Sequence, residues 1–165
     1  MTRKASFPPV VRADTKLLLL GSLPGEASLR ADRYYAHPQN QFWKLAGAVA
    51  GLVDLPERPY DDRLASLLDA GIGLWDVVSD ALRCGSLDAA IRDHRTNDLV
   101  ALIETLPELR GVGFNGGTAA RIGRKLLEGV AEIQLFDLPS SSPAYTLALA
   151  AKTERWSMMR VCLQQ

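Results

Sequence analysis

Cysteine and histidine are scarce in this sequence, and their scarcity excludes several kinds of metalloprotein. The 165 residues include two cysteines, Cys84 and Cys162, and two histidines. Zinc sites and iron–sulfur clusters use cysteines at short spacings such as Cys-x-x-Cys, and neither cysteine belongs to such a pair. We therefore expect no metal, no iron–sulfur cluster and no other cofactor, and two buried free thiols in a reducing compartment.

Long apolar runs and a secretory signal are also missing. The four consecutive leucines at 17–20 are far fewer than the ~20 apolar residues that a membrane-spanning helix requires. The first eleven residues contain charges and prolines where a signal peptide has its apolar core. The sequence therefore predicts a cytoplasmic protein with no membrane partner, and we expect it to be a monomer.

The sequence has no excess of positive charge. Its 19 lysines and arginines balance 19 aspartates and glutamates, and the net charge is zero. A protein that coats nucleic acid through bulk electrostatics has a clear basic excess, so the balance argues against that class. An enzyme that contacts a few phosphates at the opening of its active site is compatible with a balanced charge. The composition, 47% hydrophobic and 23% charged, is typical of a globular protein, and the length fits one domain over residues 1–165.

Short apolar segments alternate with amphipathic ones along the chain. This pattern predicts a three-layer α/β/α sandwich with a central, largely parallel four-stranded sheet. Amphipathic segments predict helices after Asn40, at 61–70, at 97–106, after the turn at 115–117 as far as 127, and at the C-terminal end as far as about residue 163. The segments with the length and flanks of buried strands are 17–21, 72–78, 109–114 and 131–136.

Three unusual loops follow predicted strands. Residues 22–40 are long and punctuated by glycine and proline, residues 115–117 are Asn-Gly-Gly, and residues 138–145 hold three serines between two prolines. In parallel α/β sheets, ligands bind beyond the carboxyl ends of the strands, so the three loops are predicted to meet at one edge. Their convergence is the feature that most directly indicates a functional site.

The glycine-rich segments allow more than one interpretation. Residues 21–25 (Gly-Ser-Leu-Pro-Gly) and 113–117 (Gly-Phe-Asn-Gly-Gly) let the backbone approach a ligand closely. Neither matches the G-x-G-x-x-G or lysine-terminated loops that cradle nucleotide phosphates, and each is compatible with a plain turn. A non-catalytic nucleotide-binding module therefore stays open as an alternative to an enzyme.

Residues 34–43 (Tyr-Tyr-Ala-His-Pro-Gln-Asn-Gln-Phe-Trp) mix aromatic rings with amides. Such a mixture can stack on a nucleic-acid base and read its edge. We expect Phe42 and Trp43 to be core residues, whereas packing alone explains the two tyrosines less well. Asn40 is compatible with a helix N-cap and with a functional amide. The serines at 140–142 suit phosphate contacts, and a helix N-cap role can hold at the same time.

In their order along the chain, these motifs resemble the uracil-DNA glycosylase superfamily. The segments at 21–25, 34–43, 114–116 (Phe-Asn-Gly) and 138–144 (Leu-Pro-Ser-Ser-Ser-Pro-Ala) are most similar to the hypoxanthine-DNA glycosylase branch. The stretch from Tyr35 to Trp43 also resembles the mismatch-specific uracil/thymine DNA glycosylases. The resemblance spans about residues 17–163, and the ordered set is more specific than any one motif.

The resemblance implies a DNA-repair enzyme of base excision. Such an enzyme flips a deaminated base, hypoxanthine or uracil, out of damaged DNA and hydrolyses its N-glycosidic bond. The resemblance implies that Asn40 and Asn115 are catalytic and that the base stacks on Tyr35. The other residues that it implies are Ser22, Leu23, Pro24, Gly25 and Phe114 for base binding, and Ser140, Ser141, Ser142, Pro143, Ala144 and Tyr145 for DNA binding.

One position departs from the pattern of the mismatch-specific enzymes. Their first motif has an asparagine that positions water, and here that residue is Leu23, which makes no side-chain hydrogen bond. A glycosylase-like fold that serves as an interaction protein is therefore a second alternative. A glycosidic bond can break through an oxocarbenium-like sugar cation, so an enzyme that holds the departing base and one water needs no strong nucleophile. Amides can do this at neutral pH.

Overall fold

The computed structural model describes residues 2–164, within which seven strands and six α-helices are found. The strands are β1 (Arg3–Ala5), β2 (Leu17–Gly21), β3 (Ile72–Asp76), β4 (Val78–Leu82), β5 (Arg92–Thr96), β6 (Gly111–Asn115) and β7 (Gln134–Leu138). The helices are α1 (Glu26–Ala31), α2 (Phe42–Ala50), α3 (Tyr60–Asp69), α4 (Leu99–Glu104), α5 (Gly117–Leu126) and α6 (Leu149–Ser157). Short 3₁₀ helices lie at Leu55–Glu57, Asp88–Ala90 and Met158–Cys162.

A four-stranded sheet in the order β3-β2-β6-β7 forms the centre of the protein, and every neighbouring pair in it is parallel. This confirms the predicted three-layer α/β fold. Every residue of β2 and β6 is buried, as expected for strands covered on both faces. Leu17 and Leu19 contact one apolar cluster, whereas Leu18 and Leu20 contact the other, because successive side chains of a strand point to opposite faces.

Helices cover both faces of this sheet. Phe42 of α2, Leu67 of α3 and Trp156 of α6 belong to the cluster on one face. Leu99 of α4 and Ile122 of α5 belong to the cluster on the other. Burying a side chain of this size stabilises the fold by about 1.5–3 kcal/mol relative to leaving it exposed. The two layers therefore hold the sheet in a fixed frame, and its carboxyl edge is left for loops.

A second sheet, β1-β4-β5, is antiparallel and was not expected from the sequence. The single strand predicted at 72–78 is wrong at its end, because the chain leaves the parallel sheet after Asp76 and Val78 begins β4. Every residue of β5 is exposed, so hydrophobic periodicity gives no signal for it. This sheet carries the segment 86–88 to the edge of the parallel sheet.

Three further boundaries differ from the predictions. Residues 22–40 contain α1 and are not irregular throughout. Strand β6 begins at Gly111, not at residue 109, because Leu109 closes a turn by donating its N–H to the Leu106 carbonyl. Strand β7 lies at the edge of its sheet and extends to Leu138, beyond the predicted end.

Candidate active site

A cavity of about 470 Å³ opens at the carboxyl edge of the parallel sheet, a size typical of small-molecule sites. The ends of β2, β3 and β6 contribute to it, together with the loop after β2 and the loop after β7. The predicted meeting of loops at this edge is therefore present in the structure. A further segment, 86–88, also lines the cavity, and the sequence analysis did not identify it.

Phe114 is the one predicted site residue that does not line the cavity. Its ring is fully buried in the cluster beneath α5, with the Arg124 guanidinium 5.9 Å from the ring centroid. Phe114 and Asn115 are adjacent in β6, so their side chains point in opposite directions. Phe114 is therefore a core residue, which corrects its prediction as a base contact. The predicted residues that do line the cavity are Ser22, Leu23, Pro24, Gly25, Tyr35, Asn40, Asn115, Ser140, Ser141, Ser142, Pro143, Ala144 and Tyr145.

Tyr35 is fixed in place by its neighbours. Its backbone has a φ of 50°, in a left-handed region that few residues other than glycine adopt. Its ring stacks on Phe42, with 3.8 Å between the centroids and 5° between the planes. The indole N–H of Trp43 donates to the Tyr35 carbonyl at 3.1 Å. Because these contacts hold a strained backbone, the ring has its position before any ligand binds.

The other aromatic side chains of this segment serve the core. Phe42 and Trp43 are buried, as expected. Tyr34 is also buried, and its hydroxyl donates to the Pro8 carbonyl at 2.8 Å. Packing therefore explains Tyr34, although it lies in the loop and borders the cavity. Both tyrosines lie in the loop, so their position in the sequence did not distinguish Tyr34, which packs in the core, from Tyr35, which lies at the site.

The amide of Asn115 is engaged at both ends. Its Oδ1 accepts the Ser141 backbone N–H at 2.9 Å, and its Nδ2 donates to Ser141 Oγ at 2.9 Å and to the Tyr35 hydroxyl at 3.3 Å. Both N–H groups of the amide thus have partners. Asn115 ties the loop after β7 to the Tyr35 ring, and this geometry favours a positioning role over the direct catalytic role implied by the resemblance.

Asn40 is half-buried in the cavity wall, and its amide is only partly engaged. Its Oδ1 accepts the Phe42 backbone N–H at 2.9 Å, so it supports the turn that opens α2, although Gln41 is the residue directly before that helix. No partner for Asn40 Nδ2 is found among residues 2–164. Its N–H groups are therefore available to a ligand. We call Tyr35, Asn40, Asn115 and Ser141 the amide wall.

Asp76, which the sequence analysis missed, lies at the end of β3 in the same cavity. Its side chain is almost fully buried, and its Oδ2 has no hydrogen-bond partner within the described part of the chain. A Cβ atom on Gly21 would lie 2.7 Å from Asp76 Oδ1 and 2.8 Å from the Tyr35 hydroxyl, so a larger residue there would displace one of these side chains. Burial, reinforced by the negative charge of Asp88, raises the pKa of Asp76 to about 7, and the positive charge of Arg83 opposes this.

Asp88 is the second acid of the cavity. Its Oδ1 accepts a hydrogen bond from Ser22 Oγ at 2.6 Å. Burial raises the pKa of Asp88, whereas the Ser22 hydrogen bond and the charge of Arg83 act in the opposite direction. We call Ser22, Asp76 and Asp88, with Arg83 behind them, the carboxylate wall.

Arg83 holds the loop after β2 from inside the protein. It is almost fully buried, and its guanidinium donates to the carbonyls of Leu23, Pro24 and Gly85. Burial lowers its pKa, and the charges of Asp76 and Asp88 oppose this shift. A planar group with five N–H donors is suited to fixing several carbonyls at once. The backbone at 23–25 is therefore held in place at the cavity.

Lys152 of α6 supports the opposite loop. Its Nζ donates to Gln41 Oε1 at 2.9 Å and to the Ser142 carbonyl at 3.4 Å, and it lies 5.5 Å from the centroid of the Tyr145 ring. The side chain is buried, which lowers its pKa, and no carboxylate within residues 2–164 forms an ion pair with it. A buried cation thus joins the start of α2 to the serine-containing loop.

The described residues also define what kinds of group are present. Within residues 2–164 there is no cluster of three histidines, cysteines or acids arranged to hold a metal ion. None of the helices in that range combines the length and apolarity needed to cross a bilayer. Both cysteines are free, and Cys162 is buried as expected, whereas Cys84 is exposed, which corrects the expectation that both thiols are buried.

Comparison with known proteins agrees with this geometry. A family model described as the uracil DNA glycosylase superfamily matches residues 8–163. A hypoxanthine DNA glycosylase from Methanosarcina barkeri (strain Fusaro / DSM 804) is 38% identical over 155 residues, which are 94% of this chain and 96% of that protein. One from Methanosarcina acetivorans is 41% identical over 141 residues, which are 86% and 87% of the two chains.

A solved structure shares the fold along the whole chain. The solution NMR structure of a Methanosarcina acetivorans protein, provisionally assigned as a uracil DNA glycosylase, superposes with a TM-score of 0.88 at 36% identity. The match covers 99% of this chain and 100% of that chain. The family match, the Methanosarcina barkeri relative and the shared fold all extend over the loops that form the cavity. This chain belongs to the uracil DNA glycosylase superfamily, whose members are DNA N-glycosylases.

Proposed function

We propose that this protein removes hypoxanthine, and uracil as a second substrate, from DNA by hydrolysing the N-glycosidic bond of a base flipped into the cavity. The observation that carries the proposal is the amide wall, where the fixed ring of Tyr35 and the unengaged amide nitrogen of Asn40 border the same cavity. The names of the two Methanosarcina relatives support hypoxanthine as the base. A cavity of about 470 Å³ has room for a purine as well as for a pyrimidine.

The Tyr35 ring is the surface on which the flipped base stacks in this proposal. Phe42 covers one face of the ring, so the base uses the side that borders the cavity. Stacking of a base on an aromatic side chain contributes about 1–3 kcal/mol. A base in this position is out of the duplex stack, which gives the enzyme access to its glycosidic bond.

Asn40 then acts on the departing base. As the bond from the sugar to the base breaks, negative charge develops on the base, and an N–H group of Asn40 donates to it. A donor already in place stabilises such charge strongly, because little reorganisation is needed when the charge appears. The hydrogen bond to Phe42 N–H fixes the orientation of this amide, so its role in the turn and its role in catalysis support each other.

The loop at 140–145 supplies the contacts to the DNA backbone. Ser140 Oγ and Ser142 Oγ accept backbone N–H groups within the loop at 3.1 Å, which rigidifies it. Asn115 and Lys152 hold it from behind. Tyr145 is 48% exposed at the mouth of the cavity, where a large ring can enter the space left by the flipped base. Contacts of this kind position the DNA without reading its sequence.

Single-turnover base release tests the proposal. Duplex and single-stranded oligonucleotides with one hypoxanthine, uracil or xanthine are incubated with excess protein, and strand cleavage at the resulting abasic sites is measured. We expect release of hypoxanthine, and an identical purification from cells that do not express the protein is the control for contaminating activity. Release from none of the three would contradict the proposal.

The test also separates the two alternatives that involve no catalysis. Leu23 lines the cavity where the mismatch-specific enzymes carry a water-positioning asparagine, and this keeps a DNA-interaction protein as the second candidate. Tight binding of damaged oligonucleotides without base release would support that candidate. Tight binding of a free nucleotide without base release would support a nucleotide-binding module.

A further inference from the structure

Asp76 has three properties that set it apart from the other acids of the chain. It ends a strand at the cavity, it is 4% exposed, and its Oδ2 has no hydrogen-bond partner within residues 2–164. A buried ionised carboxylate without a partner is costly, whereas the neutral acid is tolerated far better. A carboxyl kept neutral in this way has a proton to give. The mechanism proposed above does not use it.

We propose that Asp76 is the general acid of base release, donating its proton to a ring nitrogen of the departing purine. The proposal rests on the proposed function, because it requires a base in the cavity beside Tyr35. Asp76 Oδ1 and the Tyr35 hydroxyl both lie within 3 Å of the same point above Gly21, so the acid is adjacent to the ring on which the base stacks. Asn40 donates a hydrogen bond to the base from the amide wall, and Asp76 donates a proton to it from the carboxylate wall.

Asp88 is unsuited to this role and suited to another. Its Oδ1 accepts a hydrogen bond from the Ser22 hydroxyl, a donor that Asp76 lacks, so Asp88 is the acid of the pair that ionises more readily. Two acids that share a cavity ionise one after the other, and the charge of the first keeps the proton on the second. The charged and titratable groups around Asp76 are Asp88, Arg83, Tyr34 and Tyr35. The negative charge of Asp88 favours the protonated form of Asp76, and the positive charge of Arg83 partly offsets this.

The proton balance closes on Asp76 itself. Its carboxyl proton passes to the base as the bond between C1′ and the base nitrogen breaks and the bonding electron pair leaves with the base. Water then adds to C1′ of the oxocarbenium-like sugar, and the proton that this water loses returns to the Asp76 carboxylate. The products are a neutral base and an abasic sugar, and the acid is restored. No metal, oxidant or other reactant takes part.

The pH dependence of base release distinguishes this role from its opposite. A general acid must be protonated in the free enzyme, so kcat/KM falls as the pH rises through the pKa of Asp76, which is about 7. A general base with the same pKa would make kcat/KM rise over this range. We therefore expect the wild-type rate on hypoxanthine-containing DNA to decrease above about pH 7, and an increase would overturn the proposal.

Asp76→Asn supplies the decisive variant, since it keeps the shape and removes the transferable proton. We expect single-turnover release of hypoxanthine to fall by roughly 100-fold, the lower end of the range for general acid catalysis, and the decrease above pH 7 to disappear. The matched control is Asp69→Asn, an exposed acid paired with Arg12 beyond the amino end of β3, which should leave rate and profile unchanged. Full activity of Asp76→Asn with an unchanged profile would overturn the inference and leave the proposed function standing.

Asp88→Asn keeps the proposal testable even if the Asp76 variant does not fold. Removal of the Asp88 charge lowers the pKa of Asp76, so the decrease in rate should begin at lower pH. An unchanged position of this decrease would overturn the pairing of the two acids. If the wild-type protein releases no base at any pH, the proposed function itself fails, and the inference fails with it.

Discussion

The two walls of the cavity are built from different chemistry. Three neutral side chains of the amide wall, Tyr35, Asn115 and Ser141, bond one another. The carboxylate wall contains two acids of raised pKa, one of them with an unpartnered oxygen. The first wall is built to hold positions at any pH, and the second to change its charge near neutrality. The cavity therefore separates positioning from proton transfer, and each wall can be disabled alone.

The largest effect is expected from the amide wall, at Asn40. Asn40→Ala removes the donor to the departing base, so single-turnover release should fall at least ~100-fold, as for loss of an oxyanion-type donor. Loss of the hydrogen bond to Phe42 costs about 1 kcal/mol, so the variant should fold, as circular dichroism and thermal melting will show. Unimpaired release would remove Asn40 from the mechanism, and the amide wall would then have no residue that acts directly on the base.

Asn40→Asp separates two roles of the same side chain. Aspartate supports the turn about as well as asparagine does, but an ionised carboxylate cannot donate to a base oxygen. Failure of both the Asp and the Ala variants in base release would favour donation to the base. Activity of the Asp variant alone would instead indicate that Asn40 orients water.

Asn115→Ala tests whether the amide wall is a single connected unit. The variant loses three hydrogen bonds and leaves buried groups of Ser141 without partners, so the free energy of unfolding should fall by about 2–3 kcal/mol. Denaturant titration measures this loss. Asn115→Asp keeps the acceptor for the Ser141 N–H and is the matched variant. A change below about 0.5 kcal/mol in Asn115→Ala would show that the wall does not depend on this residue.

Asp76→Asn should have the opposite effect on stability. The folded pKa of Asp76, about 7, lies above its unfolded value of 3.8, so the folded state holds the proton more tightly. The stability that this provides is complete below the unfolded pKa and is lost as the pH rises through about 7. The two pKa values differ by the equivalent of about 4 kcal/mol. An amide has an unpartnered group of its own, so we expect a gain of about 2 kcal/mol at pH 8 to 9.

Denaturant titrations of wild type and Asp76→Asn at pH 5 and pH 8.5 measure this difference. The gain of the variant should be larger at pH 8.5. An equal difference at both pH values would contradict a raised pKa in the folded protein. Lower activity together with higher stability would identify Asp76 as a residue that the fold tolerates only for its function.

The smallest effect is expected at Lys152, the residue that places a charge behind the otherwise neutral amide wall. Its pKa is lowered in the folded state, so the wild-type free energy of unfolding should increase as the pH rises from the folded pKa towards 10.5. Lys152→Met should lack this increase and differ from wild type by about 1 kcal/mol or less at pH 7. Thermal melting at pH 7 and pH 10 measures both quantities. A larger loss at pH 7 would show that the bonds to Gln41 and Ser142 stabilise more than the burial of the charge costs.

Sequence reasoning captured the parallel sheet and most of the amide wall. The leucines of β2 and the apolar residues of β6 are buried on both faces, and this leaves a clear signature in a sequence. Asn40 and Asn115 lie in motifs that follow strands, where the resemblance and the rule for parallel sheets both point. The antiparallel sheet escaped because β5 is entirely exposed and so has no apolar pattern.

The two acids of the carboxylate wall were missed for a different reason. Asp88 reaches the cavity through the unexpected sheet, so no local pattern connects it to Ser22. Asp76 had a usable signal, since it lies near the carboxyl end of a predicted strand, where ligands bind. Because the predicted strand ended at Val78, Asp76 fell inside the strand and not at its end. Phe114 was the reverse error, because its motif neighbours line the cavity while the alternation of side chains in β6 turns its ring into the core.

Because the Tyr35 ring is fixed, most of the free-energy cost of base recognition comes from the DNA and little of it from the protein. The ring is already stacked on Phe42 in a backbone conformation that the surrounding contacts impose, so the protein gives up little freedom when a base arrives. Nearly all of the work is then the unpairing and unstacking of the nucleotide, which is least for a poorly paired base. Local instability of base pairing therefore provides the first stage of discrimination. The cavity then selects only among bases that are already poorly paired in the duplex.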